Sequence, residues 1–330
     1  MVFPPTLART HGWTPEEAYG YCQRLTRTHY ENFTVGSLLL PREKRRHVYA
    51  VYGFCRSVDD LGDEATLEDV PHSDKDWPKM GILENDESTH RLALLNWWQK
   101  ELEACYSGSP THPVMVALKE TIHRFDIPPQ PFLKLIEANR MDQRIRRYPT
   151  YHDLLHYCDH SANPVGHLFL YLFGYRDEKL QELSDSTCTA LQLTNFWQDV
   201  ARDYAKGRVY LPQEDLEQFG YTEAELAQGA VNRSFRDLLA FEVSRTRELF
   251  ARGAQLDDLL DGPMKLDVAL FTRGGVTVLN AIRRQNYDVL SARPSLTRTR
   301  KATLFLSTWL TWRLGLGPCL GLPKPYTGDR

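Results

Sequence analysis

"LQLTNFWQDVARDYAKGRVYLP", Leu191–Pro212, carries polar residues at a helical spacing inside an otherwise amphipathic segment. At about 100° per residue, Gln192, Asn195, Asp199 and Asp203 fall within an arc of roughly 80°. A second acidic stretch lies far upstream. "SVDDLGDEA", Ser57–Ala65, has four acidic residues among nine and follows the apolar run "VYAVYGFC", Val48–Cys55. The same arithmetic puts Tyr52, Arg56, Asp59 and Asp63 within about 60°, with Asp60 off that stripe. Two helices therefore each carry one acidic stripe.

Carboxylates stacked at i, i+4 repel by a few tenths of a kcal/mol even when solvated. Burying them costs far more. Either stripe taken singly also reads as a solvated helix face. Taken together, with arginines beside both, they call for a cation. Oxygen-only ligands without neighbouring histidine or cysteine favour a hard ion, Mg²⁺ rather than Zn²⁺. Mg²⁺ keeps waters and takes one or two carboxylates plus substrate phosphates. The pattern predicts a diphosphate held through several Mg²⁺, with Arg56, Arg202 and Arg208 donating charge-assisted hydrogen bonds.

Around the stripes, helical periodicity dominates. The expected helices are Pro15–Thr28, Pro41–Gly62, Thr89–Cys105, Pro113–Phe125, Gln130–Arg144, Tyr151–Phe173, Asp177–Tyr204, Phe235–Leu260 and Lys265–Leu290. Several open on a cap or an N1 proline, as at Thr14–Pro15 and His112–Pro113. Alternating β patterns with tight-turn pairs are missing, and Ile145–Tyr151 reads as a short extended link. The expectation is an all-α fold, a single domain over 1–330 with its core at about 15–293, helices packed around a central cavity. Residues 70–88, polar and proline-containing, read as a mobile loop. Gly207–Gly220 ends one long helix and opens a short one.

Composition bounds the rest. The chain has 330 residues, 42% hydrophobic and 25% charged, enough for a large core. A net charge of −3 gives no global pull toward nucleic acid or anionic lipid. Cys22, Cys55, Cys105, Cys158, Cys188 and Cys319 form no CxxC pair and read as reduced core thiols, which suits the cytoplasm. Met1–Gly12 lacks the pattern of a signal peptide. No run of apolar residues is long enough to span a bilayer. The nearest, Ala302–Gly317, is interrupted by Arg313 and reads as a packed C-terminal helix or as a peripheral membrane contact.

At the two stripes the sequence resembles the squalene and phytoene synthases, head-to-head prenyl synthases with an all-α isoprenoid synthase fold. The resemblance covers about Ala18–Leu290. "YAVYGFCRSVDDLGDE" is similar to the family's first aspartate-rich motif and the Leu191–Pro212 stretch to its second. "HYENFTVGSLLLP", His29–Pro41, stands where the family has its N-terminal flap and phosphate contacts, so His29 and Phe33 are expected at the substrate. The resemblance implies Asp59 and Asp63 as one metal pair and Asn195, Asp199 and Asp203 as the second set. It implies Arg56, Gln192, Arg208 and Tyr210 on the diphosphate side, and Tyr52 and Tyr287 as pocket and phosphate contacts. Arg202 joins them by its charge.

Two departures carry information. The family's His-Ser-Lys-Ser-Phe here reads His29-Tyr30-Glu31-Asn32-Phe33, so an acid stands where a lysine would neutralise a second diphosphate. The mid-chain motif reads "YCDHSANPVG", Tyr157–Gly166, with His160 in place of a tyrosine credited with proton transfer. Both resemble a bacterial hopanoid-pathway branch acting on presqualene diphosphate. That resemblance implies Mg²⁺-dependent formation of hydroxysqualene with NADPH not expected. Phe33, Tyr52, Phe54, Phe169, Phe173 and Phe196 are candidates to face a carbocation; a structural core role competes for each, and for His160 a role in its own helix. The rivals are a squalene, dehydrosqualene or phytoene synthase, a head-to-tail elongase, and a non-catalytic assembly factor of this fold.

Overall fold

A computed structural model describes residues 12–29, 42–63 and 87–314. Among them the structure is helical, without strands; one isolated parallel bridge pairs Arg147 with Val209. The expected mobile loop at 70–88 falls almost wholly outside the described residues, as do Glu31, Phe33, Cys319 and the His29 side chain. The helices are α1 (Pro15–His29), α2 (Arg42–Asp63), α3 (Glu87–Ser107), α4 (Pro113–Phe125), α5 (Gln130–Met141), α6 (Tyr151–Ser161), α7 (Asn163–Phe173), α8 (Glu178–Ala205), α9 (Gln213–Gln218), α10 (Glu223–Ala227), α11 (Arg233–Gly253), α12 (Gly262–Arg284) and α13 (Arg298–Arg313).

The backbone groups into two compact units. One is Met1–Arg144 with His167–Tyr175; the other is Ile145–Gly166 with Arg176–Arg330.

In the first unit, α1 opens with a reciprocal cap. The Glu17 amide donates to Thr14 Oγ1 at 3.4 Å, and the Thr14 amide donates to Glu17 Oε2 at 3.1 Å. Its core is aromatic. Phe54 of α2 is fully buried against Trp98 of α3 (centroids 5.8 Å, stacked) and Phe132 of α5 (5.0 Å, edge-on). His112, also fully buried, caps α4 through a bond from the Val114 amide and packs edge-on to Trp98. Phe54 is thus a core residue of the first unit, the role that competed with its candidacy to face a carbocation. Lys44 anchors the 167–175 segment, donating to the Leu172 carbonyl at 2.9 Å and lying 4.3 Å from the Phe173 ring centroid.

In the second unit, α8 is the central helix, capped by the Asp177 carboxylate. It packs against α6, α11 and α12. Trp197 is fully buried, and its indole donates to Thr246 of α11 at 2.8 Å. A β-carbon on Gly275 of α12 would meet Leu191 Cδ2 at 3.0 Å and collide with the Phe250 ring, so glycine sets how closely α12 approaches. A buried polar knot ties α9 and α11. Arg245 donates to Glu242 at 2.6 and 2.8 Å and to Asp215 at 2.5 Å while its guanidinium covers the Tyr151 ring at 3.5 Å. Burial raises the Glu242 carboxyl; the Arg245 charge opposes that rise.

Three of the expected helices depart most from the sequence reading. The single helix expected over Tyr151–Phe173 is two, broken at Ala162. Pro164 has no amide hydrogen to extend the first helix, and its ring suits the first turn of the second. The expected Phe235–Leu260 helix ends at Gly253 and continues as a 3₁₀ turn, Ala254–Asp258. The Lys265–Leu290 helix starts earlier, at Gly262, and stops at Arg284, because Asn286 and Tyr287 take φ of 52° and 60°. α10, opened by a Thr222–Glu225 capping box, was not expected. Among the described free cysteines, Cys22, Cys105 and Cys158 are buried as expected while Cys55 and Cys188 are half-buried, and burial pushes the Cys22 and Cys105 thiols up to about 12.

Candidate active site

The first stripe lies on the last three turns of α2. Asp59 and Asp63 are exposed, while Asp60, one position round, is buried. Arg56 forms an ion pair with Asp60 one turn on, within the same helix. The arginine expected toward phosphate therefore already neutralises the off-stripe aspartate. Asp59 accepts a hydrogen bond from Asn139 Nδ2 of α5 at 3.4 Å. Its carboxyl is pushed up to about 7, chiefly by burial. Asn139 and Arg56 oppose the shift, and Asp63 and Asp142 add to it. Water touches this carboxylate although dense protein surrounds it, so its charge is only partly compensated within the chain. Tyr52 is half-buried on the same face.

The second stripe lies on the last three turns of α8. Asn195 is exposed, Gln192, Asp199 and Asp203 are half-buried, and Arg202 is exposed. The helix kinks at Asp199, whose φ of −109° and ψ of 15° leave helical geometry. At that kink Arg293, from the connection after α12, meets the Asp199 carboxylate with both arms: Nε to Oδ1 at 2.6 Å and Nη2 to Oδ2 at 2.7 Å. The same Nη2 reaches Gln198 Oε1 at 3.2 Å, and Gln198 Nε2 donates to the Pro294 carbonyl. Arg202 lies 3.6 Å from Asp199. Beyond Ala205 the chain turns at Gly207 (φ 77°), and the Arg208 amide donates to the Asp203 carbonyl at 2.8 Å. This turn places Arg208 beside Asp203, and the two help line one small crevice with Phe196 and Tyr210.

Beneath this stripe is an aromatic stack. Tyr210 lies parallel to Phe196, centroids 3.7 Å apart, with Tyr148 at 5.6 Å and Tyr157 at 5.9 Å from Tyr210. His160 of α6 is half-buried. Its Nδ1 sits 2.9 Å from the His156 carbonyl, which makes Nδ1 the protonated nitrogen and puts the lone pair on Nε2. Asp159 Oδ2 is 3.7 Å from that Nδ1, too long for a hydrogen bond. Tyr287 lies just beyond α12, in left-handed backbone with φ of 60°. It lines a groove of about 320 Å³ with Asn232, Arg233, Arg236 and Asn286, none of which belongs to a stripe.

The donor set suits a hard divalent ion. Each stripe offers only oxygen donors, and Asp199 already draws a cationic guanidinium onto both of its oxygens. Among the described residues no three of His, Cys, Asp or Glu converge on one point. Mg²⁺ takes few carboxylates and completes its shell with water and phosphate. Asn139 and Arg293 went unnoticed in the sequence. Neither carries a local signal: each acts across a sequence separation of 80 or more residues.

A family model described as "Squalene/phytoene synthase" matches residues 26–300. The chain is 31% identical over 297 residues to a phytoene synthase of Arthrospira platensis, covering 85% of this chain and 88% of that one. It is also 31% identical over 301 residues to a 15-cis-phytoene synthase of Synechococcus elongatus, covering 86% and 90%. Among solved structures it is similar to squalene synthase HpnC from Alicyclobacillus acidocaldarius, with 43% identity, a TM-score of 0.74, and 83% and 95% of the two chains covered. A dehydrosqualene synthase in complex with ligand shares the fold, at 23% identity and a TM-score of 0.76 over 91% and 98%. The chain belongs to the squalene/phytoene synthase family.

Proposed function

We propose that this chain converts presqualene diphosphate and water to hydroxysqualene and diphosphate, with Mg²⁺, in squalene and hopanoid biosynthesis. The observation that carries the reading is the oxygen-only stripe on α8, where Asp199 has already recruited a cation. The higher identity to a squalene synthase structure than to the phytoene synthases supports the squalene side. The family's place as prenyl diphosphate enzymes supports the substrate class. On this reading the chain is one isoprenoid synthase domain over 1–330.

Asp59 and Asp63 would hold metal on α2; Asn195, Asp199 and Asp203 would hold it on α8. Magnesium, when bound, supplies Lewis-acid stabilisation of the departing diphosphate. Gln192, Arg56, Arg202 and Arg208 donate to phosphate oxygens. The carbon–oxygen bond breaks, and its electron pair leaves with the diphosphate. The cyclopropylcarbinyl cation rearranges to an allylic cation; Tyr52, Tyr287, His29 and Phe33 are the proposed substrate contacts, and Tyr210 one on the diphosphate side. Water's oxygen then bonds to carbon and its proton is released. His160 Nε2, carrying the lone pair, is the candidate acceptor. NADPH has no step in this sequence.

A second reading is a squalene, dehydrosqualene or phytoene synthase that condenses two prenyl diphosphates head to head. The phytoene synthases among its relatives favour it. The deciding experiment supplies presqualene diphosphate or farnesyl diphosphate at equal concentration with excess Mg²⁺, with and without NADPH. Hydroxysqualene from presqualene diphosphate, indifferent to NADPH, is the expected product. Efficient conversion of farnesyl diphosphate to a thirty-carbon hydrocarbon would move the chain to the second reading.

The product class also suits a membrane surface. No described helix is long and apolar enough to cross a membrane. α13 carries Arg298, Arg300, Lys301 and Arg313 and no acid, and Leu306 and Leu310 are about half exposed. We take this face to rest on anionic lipid from the cytoplasmic side.

A further inference from the structure

Both oxygens of Asp199 are engaged by one guanidinium, at 2.6 and 2.7 Å, in a fork geometry that carboxylates favour. The Arg293 side chain is 35% exposed and Asp199 21%, so the pair is partly wet and its exchange is cheap. The main chain beside Arg293 is held separately: Pro294 is buried, and its carbonyl accepts from Gln198 Nε2. The guanidinium can therefore leave Asp199 while its backbone stays in place. Arg202 at 3.6 Å adds a second positive charge at the same carboxylate.

We propose that Arg293 is a built-in competitor for the divalent cation at Asp199, so that the α8 stripe loads metal more readily together with a diphosphate than alone. The inference rests on the metal–diphosphate reading above. A bare divalent ion approaching Asp199 meets a guanidinium on both oxygens, and the two like charges repel. A diphosphate arriving with the metal brings several negative charges, which offset both cations at once. The Asp203 charge also favours the charged form of Arg293, behind the larger effect of Asp199. The consequence is a bias in order: metal binds more weakly without substrate than with it, and Arg293 offsets the Asp199 charge between turnovers.

The test titrates Mn²⁺ into the full chain without diphosphate, reading free Mn²⁺ by electron paramagnetic resonance. Four proteins are compared: wild type, Arg293→Gln, Arg293→Lys, and Arg293→Gln combined with Asp199→Asn. Arg293→Gln is expected to bind Mn²⁺ roughly two- to fivefold more tightly than wild type, the range a partly exposed ion pair can contribute. Arg293→Lys, with a cation but no fork, falls between them. The double variant loses the gain, which a merely structural role for Arg293 would not produce. Equal or weaker binding by Arg293→Gln, or a gain that survives in the double variant, overturns the competitor alone. Absence of Mn²⁺ binding by every protein, even with added pyrophosphate, overturns the metal reading and the competitor with it. Circular dichroism melts confirm that all four are folded.

Discussion

Cγ of Asn139 stands 3.1 Å from where a β-carbon on Gly62 would lie. The glycine inside "DDLGD" thus lets α2 approach α5 closely enough for Asn139 to reach Asp59, while Gln143 Nε2 donates to the Gly62 carbonyl at 2.9 Å. Gly62→Ala sets two effects against each other. Alanine gains up to about 1 kcal/mol of helix propensity. Overpacking a helix contact costs about 1–3 kcal/mol. The collision involves an asparagine held by two bonds to its own helix and neighbour, so the cost wins. Urea denaturation should show net destabilisation of about 1–2 kcal/mol; a stabilised variant would contradict the close approach.

Removing either stripe should abolish turnover. Asp59→Ala and Asp199→Ala are each expected to lower kcat by on the order of 10² or more, the scale of losing a preorganised electrostatic group. Folding should survive. The Asp59 carboxyl is already pushed up to about 7 by burial, so deleting its charge relieves a cost at pH 8. Near-normal activity in either variant, with the protein folded, would separate that stripe from the reaction.

Most of the helices and both stripes were legible in the sequence because their causes are local. Pro113–Phe125 was bounded correctly since its cap, His112, and its first-turn proline are adjacent. The acidic stripes followed from the 3.6-residue period. What decides the state of those carboxylates did not follow from it. Arg293 reaches Asp199 from 94 residues away, and Asn139 reaches Asp59 from 80. Arg56 sits on the Asp59 stripe by angle yet pairs with Asp60, since burial of Asp60 demands a partner more than exposed Asp59 does. The end of α12 was misplaced because Asn286 and Tyr287 adopt left-handed backbone without any glycine to announce it.

Asp267 of α12 gives a pH test away from the stripes. Its residue is buried, its Oδ1 has no hydrogen-bond partner, and burial pushes its carboxyl from 3.8 to about 7. A carboxyl with a raised folded pKa binds more protons folded than unfolded. Its stabilising contribution is full below about pH 4 and is lost as pH rises through about 7. Asp267→Asn should therefore match wild type near pH 4 and exceed it at pH 8, by on the order of 2–4 kcal/mol at most. Parallel stability–pH curves for the two proteins would show that Asp267 does not titrate in this range.

The outer face of α13 carries the membrane prediction. Thr308 is buried, Arg273 of α12 donates to Ser307 at 3.3 Å, and Trp312 donates to the Gly262 carbonyl at 3.2 Å. These contacts fix the inward side. Leu306, Leu310 and the cap residue Leu314 are 55%, 49% and 68% exposed. At four-residue spacing they span about 80° of the helix. Of the four cations, Arg300 and Arg313 lie within about 80° of the centre of that leucine stripe, so a second copy of this face would oppose cations to cations, in a helix without acids. Anionic lipid meets both the leucines and the charge. The full chain should sediment with vesicles containing anionic phospholipid and far less with neutral ones, and high salt should release part of it. Leu306→Ser combined with Leu310→Ser should reduce sedimentation severalfold while leaving turnover of substrate dispersed in detergent unchanged. Sedimentation independent of lipid charge, or unaffected by the double substitution, would remove the lipid-facing role; a concentration-dependent dimer abolished by the same substitutions would assign the face to a second copy instead.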